Sequence, residues 1–339
     1  MRASLATFTA LCGLLFGAGP AAAWGPSGHA AVGAIADQLI AGTPTAKKVR
    51  QILGSNLQTA AGWADCARSV ESSGGVWSYV KPGTWPSCKL YENPESQAAL
   101  IAFVKRNASR CGGFASSVQC RHKSYHFVDL SLPHTTYDPK LPGAGPTDLV
   151  HAINAGLIVL QGGKSSPPID IRGQREALRL LTHYIGDLHQ PLHVGSIYLD
   201  DAGRPLDPAT EQEAHEHSNA GGNSIMVGSS KLHGLWDDVS DKLLKQMVSG
   251  PGLAEARAVP AAKGAMAQWA ADWAGEGVVQ AGKAFKGLKI GARQAGAMGA
   301  AWPATATDPD YRQTREALQH QQLVKAGARL AQMLTTLFP

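Results

Sequence analysis

Thr182-His183-Tyr184-Ile185-Gly186-Asp187-Leu188-His189-Gln190-Pro191-Leu192-His193 is the densest run of metal-ligating side chains in the sequence. His183 and Asp187 stand four residues apart, so on a helix they share one face and offer an imidazole and a carboxylate to one ion. Pro191 ends or kinks such a helix, which turns His193 away from the first pair, toward another ion or another side of one site. His189, two residues past Asp187, points elsewhere. The stretch therefore reads as the last turns of a helix that delivers ligands at its broken end.

Working outward, the same spacing recurs at His233-Gly234-Leu235-Trp236-Asp237. One such pair is more often a surface hydrogen-bonded pair than a ligand set, but a second in the same chain weakens that explanation. Apolar residues return at three- and four-residue intervals over residues 29–40, 97–107, 147–160, 174–188, 231–247, 261–273 and 311–337, separated by Gly- and Pro-rich connections. No comparable set of alternating strand segments is present, and there is no internal repeat or convincing linker. The expectation is one mainly α domain. Residues 72–94, rich in Gly, Pro, Ser and aromatics, and residues 199–222, polar and acidic, read as long surface loops. His215 and His217 in the second loop read as incidental rather than as ligands.

Composition fits a globular protein: 44% hydrophobic and 17% charged residues exclude a disordered chain, and a formal charge of +5 is too small for a protein that coats nucleic acid. Residues 1–23 read as a secretory signal, with Arg2, an apolar core over residues 5–16 and the small residues Ala21-Ala22-Ala23 before Trp24. The apolar core is too short to span a bilayer, so no membrane anchor is expected after processing. Cleavage between Ala23 and Trp24 would leave residues 24–339 as one domain in the periplasm or secreted medium. It removes Cys12 and leaves Cys66, Cys88, Cys111 and Cys120. An even count in an exported chain suggests two disulfides, and of three possible pairings closeness in sequence favours Cys66 with Cys88 and Cys111 with Cys120. A thiol zinc site is the alternative, although no C-x2-C spacing is present. Asn107-Ala108-Ser109 is a glycosylation sequon, which matters only in a eukaryotic host.

Three further segments supply candidates, each unremarkable alone: Trp24-Gly25-Pro26-Ser27-Gly28-His29, Trp63-Ala64-Asp65-Cys66-Ala67-Arg68 and His126-Phe127-Val128-Asp129. In order along the chain, WGPSGH, WADCAR, HFVD, HYIGDLHQPLH, GGNSI and HGLWD resemble the secreted trinuclear-zinc, single-strand-specific nucleases with 3′-nucleotidase activity. These are related in fold to bacterial zinc-dependent phospholipase C, and the resemblance spans almost all of residues 24–339.

The resemblance implies three Zn2+ per chain. The freed amine and carbonyl of Trp24 join His29 at one ion; Asp65, His126 and His183 hold a second; Asp187 bridges these two; His193, His233 and Asp237 hold the third. Imidazoles and carboxylates suit zinc independently of any likeness, and clustered metals lower the pKa of a bound water. The implied reaction is attack of a metal-activated hydroxide on phosphorus, with the third ion on the departing 3′-oxygen and a 5′-phosphate left on the product. Arg68 matches the cation for charge growing on the phosphoryl group. Selectivity for single strands would come from a base pocket at Phe127, which stacks, and Asp129, which accepts a hydrogen bond from the base edge. Phe127 as core and Asp129 as a turn cap explains those residues equally well. Asn223 matches a position near the site, although a Gly-Gly-Asn turn explains the same letters. The substrates so implied are single-stranded DNA and RNA or 3′-mononucleotides, taken by a monomer.

The first competing reading is a phospholipase C acting on lipid headgroups. That branch places Glu where this chain has Asp237 and lacks the Phe127–Asp129 combination, so the nuclease is preferred. A non-catalytic secreted zinc protein ranks last, since three metals and Arg68 would be an odd excess. The elaborated segment between His193 and Gly221 is a departure that bears on substrate access.

Overall fold

The computed structural model describes residues 24–80, 82–108, 121–296 and 299–339. The expected signal, the Cys111–Cys120 pairing and Ser109 of the sequon lie outside these residues. The architecture is mainly α, as the periodicity predicts. The N-terminal helix Gly25–Leu39 packs along the C-terminal helix Tyr311–Leu337, and Leu149–Leu160 packs along Gly173–Asp187. Met266–Phe285 crosses Leu149–Leu160 and supports the 3-10 turn Pro191–His193. No helix among the described residues is long and apolar enough to cross a membrane.

Where helices begin is set by caps more than by apolar period. The expected start at residue 97 moves to Pro94 because Asn93 accepts the Ser96 N–H at 3.0 Å and Pro94 fits the first helical position. Asp148 likewise accepts the His151 N–H at 2.9 Å and starts Leu149–Leu160, a cap that contributes about 1 kcal/mol. The pattern over 231–247 is two helices, Leu232–Asp237 and Asp241–Met247, because Ser240 caps the second with its hydroxyl. The pattern over 261–273 starts late, at Met266, and runs to Phe285. Gly275 and Gly277, which look like stops, are contact points: a Cβ would stand 3.1 Å from the Thr135 carbonyl at one and 3.1 Å from Val194 at the other. Pro44–Leu53 and Gly250–Arg257 are helices that the period did not reveal.

The two expected loops carry more structure than their composition suggests. The first holds the hairpin Val70–Ser73 with Val76–Tyr79 and the 3-10 helix Pro86–Tyr91. The second holds the pair Tyr198–Leu199 with Pro205–Leu206 and the helix Glu211–Glu216. A four-stranded sheet runs in the order Ser230–Lys231, Ile225–Val227, Trp302–Ala306, Leu288–Ile290, with Trp302 beside Ile225 in a parallel register and Ala304 opposite Ile290. Strands this short show no readable alternation. Leu192, Ile225, Leu232, Trp236 and Trp302 form a small apolar cluster. It seats the helix bearing His233 and Asp237 against the turn bearing His193.

Cys66 and Cys88 form a disulfide, the pairing that sequence proximity favoured. The sequon asparagine is core: Asn107 is fully buried and donates to the Phe103 and Asp170 carbonyls at 2.9 and 2.8 Å, while Tyr125 donates to its side-chain oxygen at 2.9 Å.

Candidate metal centre

Five elements converge here. Gly173–Asp187 carries His183 and Asp187 in its last turns, and Pro191 opens the 3-10 turn that redirects His193. Gly25–Leu39 brings His29, Trp63–Cys66 brings Asp65, and Leu232–Asp237 brings His233 and Asp237. Three groups result among the described residues: His29 with His183 and Asp187; Asp65 with His126 and His183; His193 with His233 and Asp237. Every ligand that the sequence pointed to is in one of them except Trp24. That residue is fully buried beside them in a left-handed conformation, φ 36°, with its indole donating to the Gly186 carbonyl at 2.8 Å. Its backbone N–H faces the Asp237 carboxylate.

Backbone carbonyls fix the imidazoles. His183 Nδ1 donates to the Ala61 carbonyl at 2.7 Å, His193 Nδ1 to His126 at 2.6 Å and His233 Nδ1 to Gly221 at 2.6 Å. Each therefore aims its Nε2 inward, the atom through which such a histidine can ligate a metal. The His193 and His233 Nε2 atoms stand 3.1 Å apart, and Asp237 Oδ2 lies 3.3 Å from His233 Nε2. At the other groups His126 Nδ1 and His183 Nε2 lie 3.0 and 3.2 Å from Asp187 Oδ2, and His29 Nε2 lies 3.4 Å from Asp187 Oδ1. Two ligand atoms on a tetrahedral zinc, each about 2.0–2.1 Å from the ion, stand about 3.3 Å apart.

The electrostatics point the same way. Both ring nitrogens of His29, Asp65 Oδ1, Asp187 Oδ1 and Asp237 Oδ2 are buried without a hydrogen-bond partner, an expensive arrangement unless a cation satisfies them. Burial pushes His193 down to about 4 and His233 down to about 3, with the His193 imidazole adding to the effect at His233. Both are thus neutral lone-pair donors at pH 7. Burial, reinforced by Asp187 and Asp65, pushes the Asp237 carboxyl well above the usual range. The 3.3 Å contact of His233 with Asp237 is therefore not an ion pair on its own account. Burial also opposes charge at Asp187, yet His183, His126 and His29 hold its carboxyl well below the usual range. His183, pulled down by burial, is carried up to about 9 by Asp187 and Asp65. These donor sets fit metal ions, and Gln190, which donates to Asp237 Oδ1 at 2.8 Å and accepts the Leu192 N–H at 2.6 Å, braces the third.

Arg68 Nη1 stands 3.6 Å from Asp65 Oδ1 at the edge of the groups. It shares one cleft with Lys123, Phe127, Asp129 and Asn223, whose walls also include His126, His193 and His233. The base-pocket candidates are thus on the same surface as three of the candidate ligands. Phe127 is half-buried, not core. The Asp129 backbone pairs with Gly143 and Tyr198, whereas its carboxyl is pushed up to about 7 by burial. The elaborated segment borders this cleft through Ser218 and Ala220, and Glu211 accepts the Gly143 N–H at 3.3 Å. Buried Asn219, which accepts the Gly222 N–H at 2.5 Å, shapes the turn that presents Asn223. His215 borders the adjoining cavity rather than joining a metal group, and His217 is tied to the Leu199 carbonyl.

Sequence reasoning passed over Lys123 and Gln190. Lys123 is half-buried on the one-turn helix Arg121–Ser124, its ammonium pKa lowered by burial and by Arg68 nearby. The signal was present, since Lys123 precedes His126 by three residues. His189 does point elsewhere: its Nε2 lies 3.1 Å from the guanidinium of Arg329, which also forks onto Glu276.

The Arabidopsis thaliana protein named Endonuclease 4 is 26% identical over 194 residues, 49% of this chain and 56% of that protein, so the match spans little more than half of the relative's length. The profile of the S1/P1 Nuclease family matches residues 24–339, the whole stretch from Trp24 onward that carries the three groups and the cleft, and the chain belongs to that family.

Proposed function

We propose that the protein is an exported zinc-dependent endonuclease. It hydrolyses phosphodiester bonds of single-stranded DNA and RNA to 5′-phosphorylated products and also removes phosphate from 3′-nucleotides. The observation that carries this reading is one cleft in which the histidines His126, His193 and His233 stand beside two cations, Arg68 and Lys123, and a half-buried aromatic–carboxylate pair, Phe127 and Asp129. An unpaired base offers its face to the first of that pair and its hydrogen-bond donors to the second.

Trp24, once its amine is freed, with His29 would hold one ion, Asp65, His126 and His183 a second, Asp187 both, and His193, His233 and Asp237 a third. Three zinc ions held by these residues would supply a water ionised near neutral pH and positive charge for the phosphoryl and departing 3′-oxygens. The chain's own residues do the rest. Arg68 and Lys123 place two positive charges at the cleft edge, where charge grows on the phosphoryl oxygens. Phe127 stacks on the base of the nucleoside that departs with its 3′-oxygen, and Asp129 reads that base's hydrogen-bond donors. A base held in a duplex offers neither face nor edge. The apolar cluster around Trp236 and the buried core behind Tyr184 keep bulk water from the ligands.

The experiment is product analysis with the chain beginning at Trp24. Single-stranded RNA, matched duplex and phosphatidylcholine vesicles are tested with and without chelator. Chelator-sensitive release of 5′-mononucleotides from the single strand is expected. Headgroup release without RNA cleavage would establish the phospholipase reading instead.

A further inference from the structure

A second cavity adjoins the cleft through Arg68. It is lined by Pro26, Asp65, Arg68, Ser69, Trp85, Ser87 and Cys88, and Arg68 is the residue it shares with the Phe127 cleft. Its character differs from the first. Trp85 and Pro26 supply ring surface, the disulfide and Ser87 complete the wall, and the charged groups are Asp65 and Arg68 at the rim nearest the metal groups. The segment that builds it belongs to residues 72–94, to which the nuclease reading gives no task. Trp85 is half-buried and precedes the 3-10 helix Pro86–Tyr91, its carbonyl accepting the Cys88 N–H at 2.9 Å. Cys88 is bonded to Cys66, which is the residue after Asp65 and two before Arg68. The indole is therefore tied covalently to the same turn that carries a metal ligand and the phosphate-facing cation.

We propose that this cavity is a second base-stacking subsite, built on Trp85, for the nucleotide that keeps the 5′-phosphate. The inference rests on the phosphodiesterase reading above and extends it to a footprint of two nucleotides. Hydrolysis breaks the bond between phosphorus and the 3′-oxygen. The nucleoside leaving with that oxygen has its base at Phe127, beside His193 and His233. The scissile phosphate lies at Arg68, so the next nucleotide continues past Arg68 into the cavity where Trp85 waits. An indole face accepts any base, because every base has a π-face, so the subsite adds grip without reading sequence. Stacking there requires a base free of its own neighbours, and this gives single-strand selectivity a second origin besides the Phe127 pocket.

The test compares three substrates: a nucleoside 3′-phosphate, a dinucleotide with both bases, and the same dinucleotide with an abasic residue after the scissile phosphate. For the wild type, kcat/KM on the intact dinucleotide should exceed that on the abasic one by about tenfold, the scale of one stacked base. Trp85→Ala should bring that ratio close to one, and Trp85→Phe should restore most of it. The ratio is internal to each preparation, so a reduced folded fraction cancels. A wild-type ratio near one, or a ratio unchanged in Trp85→Ala, overturns the subsite. If the wild type hydrolyses the 3′-phosphate alone, the subsite falls and the phosphomonoesterase chemistry stands; if it hydrolyses none of the three, both readings fall together.

Discussion

Gly186→Ala tests whether His29 is a ligand held in place by packing. Gly186 lies between His183 and Asp187 on the ligand-bearing helix, and a Cβ built there stands 2.7 Å from His29 Nδ1 and 3.0 Å from its Cε1. An ordinary contact needs about 3.5 Å, so the ring must shift by about 0.8 Å. It cannot do so by closing on His183, whose ring is already stacked against it with centroids 3.7 Å apart. Ligand distances tolerate roughly 0.2 Å, so a shift of this size detaches His29 from its ion. Alanine is the better helix former by about 1 kcal/mol, so the helix itself does not suffer. The expected outcome is a loss of one zinc per chain by mass spectrometry after dialysis, turnover reduced roughly a hundredfold, and an unchanged helical circular dichroism spectrum. Unchanged zinc content with unchanged turnover would refute the ligand role of His29.

Asp187→Asn should release metal and abolish nearly all phosphodiesterase activity while keeping the helical fold; full zinc content with normal turnover would defeat the bridging assignment. Arg68→Ala should lower turnover by about a hundredfold or more, the scale of removing a preorganised charge stabiliser, and a normal rate constant would remove it from the mechanism. A chain retaining Ala23 before Trp24 should carry less zinc and cleave poorly; equal activity would mean that the freed amine is not a ligand. Asp129, raised to about 7 by burial, is neutral in the fold at pH values where the unfolded carboxyl, near 3.8, is ionised. The unfolded state then binds fewer protons, so stability contributed here falls as pH rises from about 4 to about 7. Asp129→Asn should flatten the melting temperature over that window, and melting curves parallel to those of the wild type at every pH would exclude a buried, raised carboxyl.

The His/Asp groups were legible because a helix converts spacing into geometry: His183 with Asp187 and His233 with Asp237 meet for the same reason, and Pro191 turns His193 as its missing N–H requires. What escaped lacked a period. The short strand Trp302–Ala306 pairs with Ile225–Val227 across a long stretch of chain, and nothing local to either announces it. Gly275 and Gly277 are poor helix formers by propensity, and only the packed structure reveals the Thr135 backbone and the Val194 side chain that approach them. Trp85 stood in a segment that composition labels a loop, and its relation to Arg68 passes through a disulfide rather than through sequence spacing. Asn107 shows the reverse error, where a motif matched while its side chain was committed to the core.

The packing of the first helix on the last has a consequence for how the molecule is made. Gly327 lets the two helices approach so closely that a Cβ there would stand 2.6 Å from Ile35. His29 rides on the first of these helices, so its position depends on a partner helix that is made long after it. A nascent chain that has not yet produced Tyr311–Leu337 lacks one wall of this pocket. A chain cut before Tyr311 should therefore fail to hold His29 in place, whatever else of the fold it keeps.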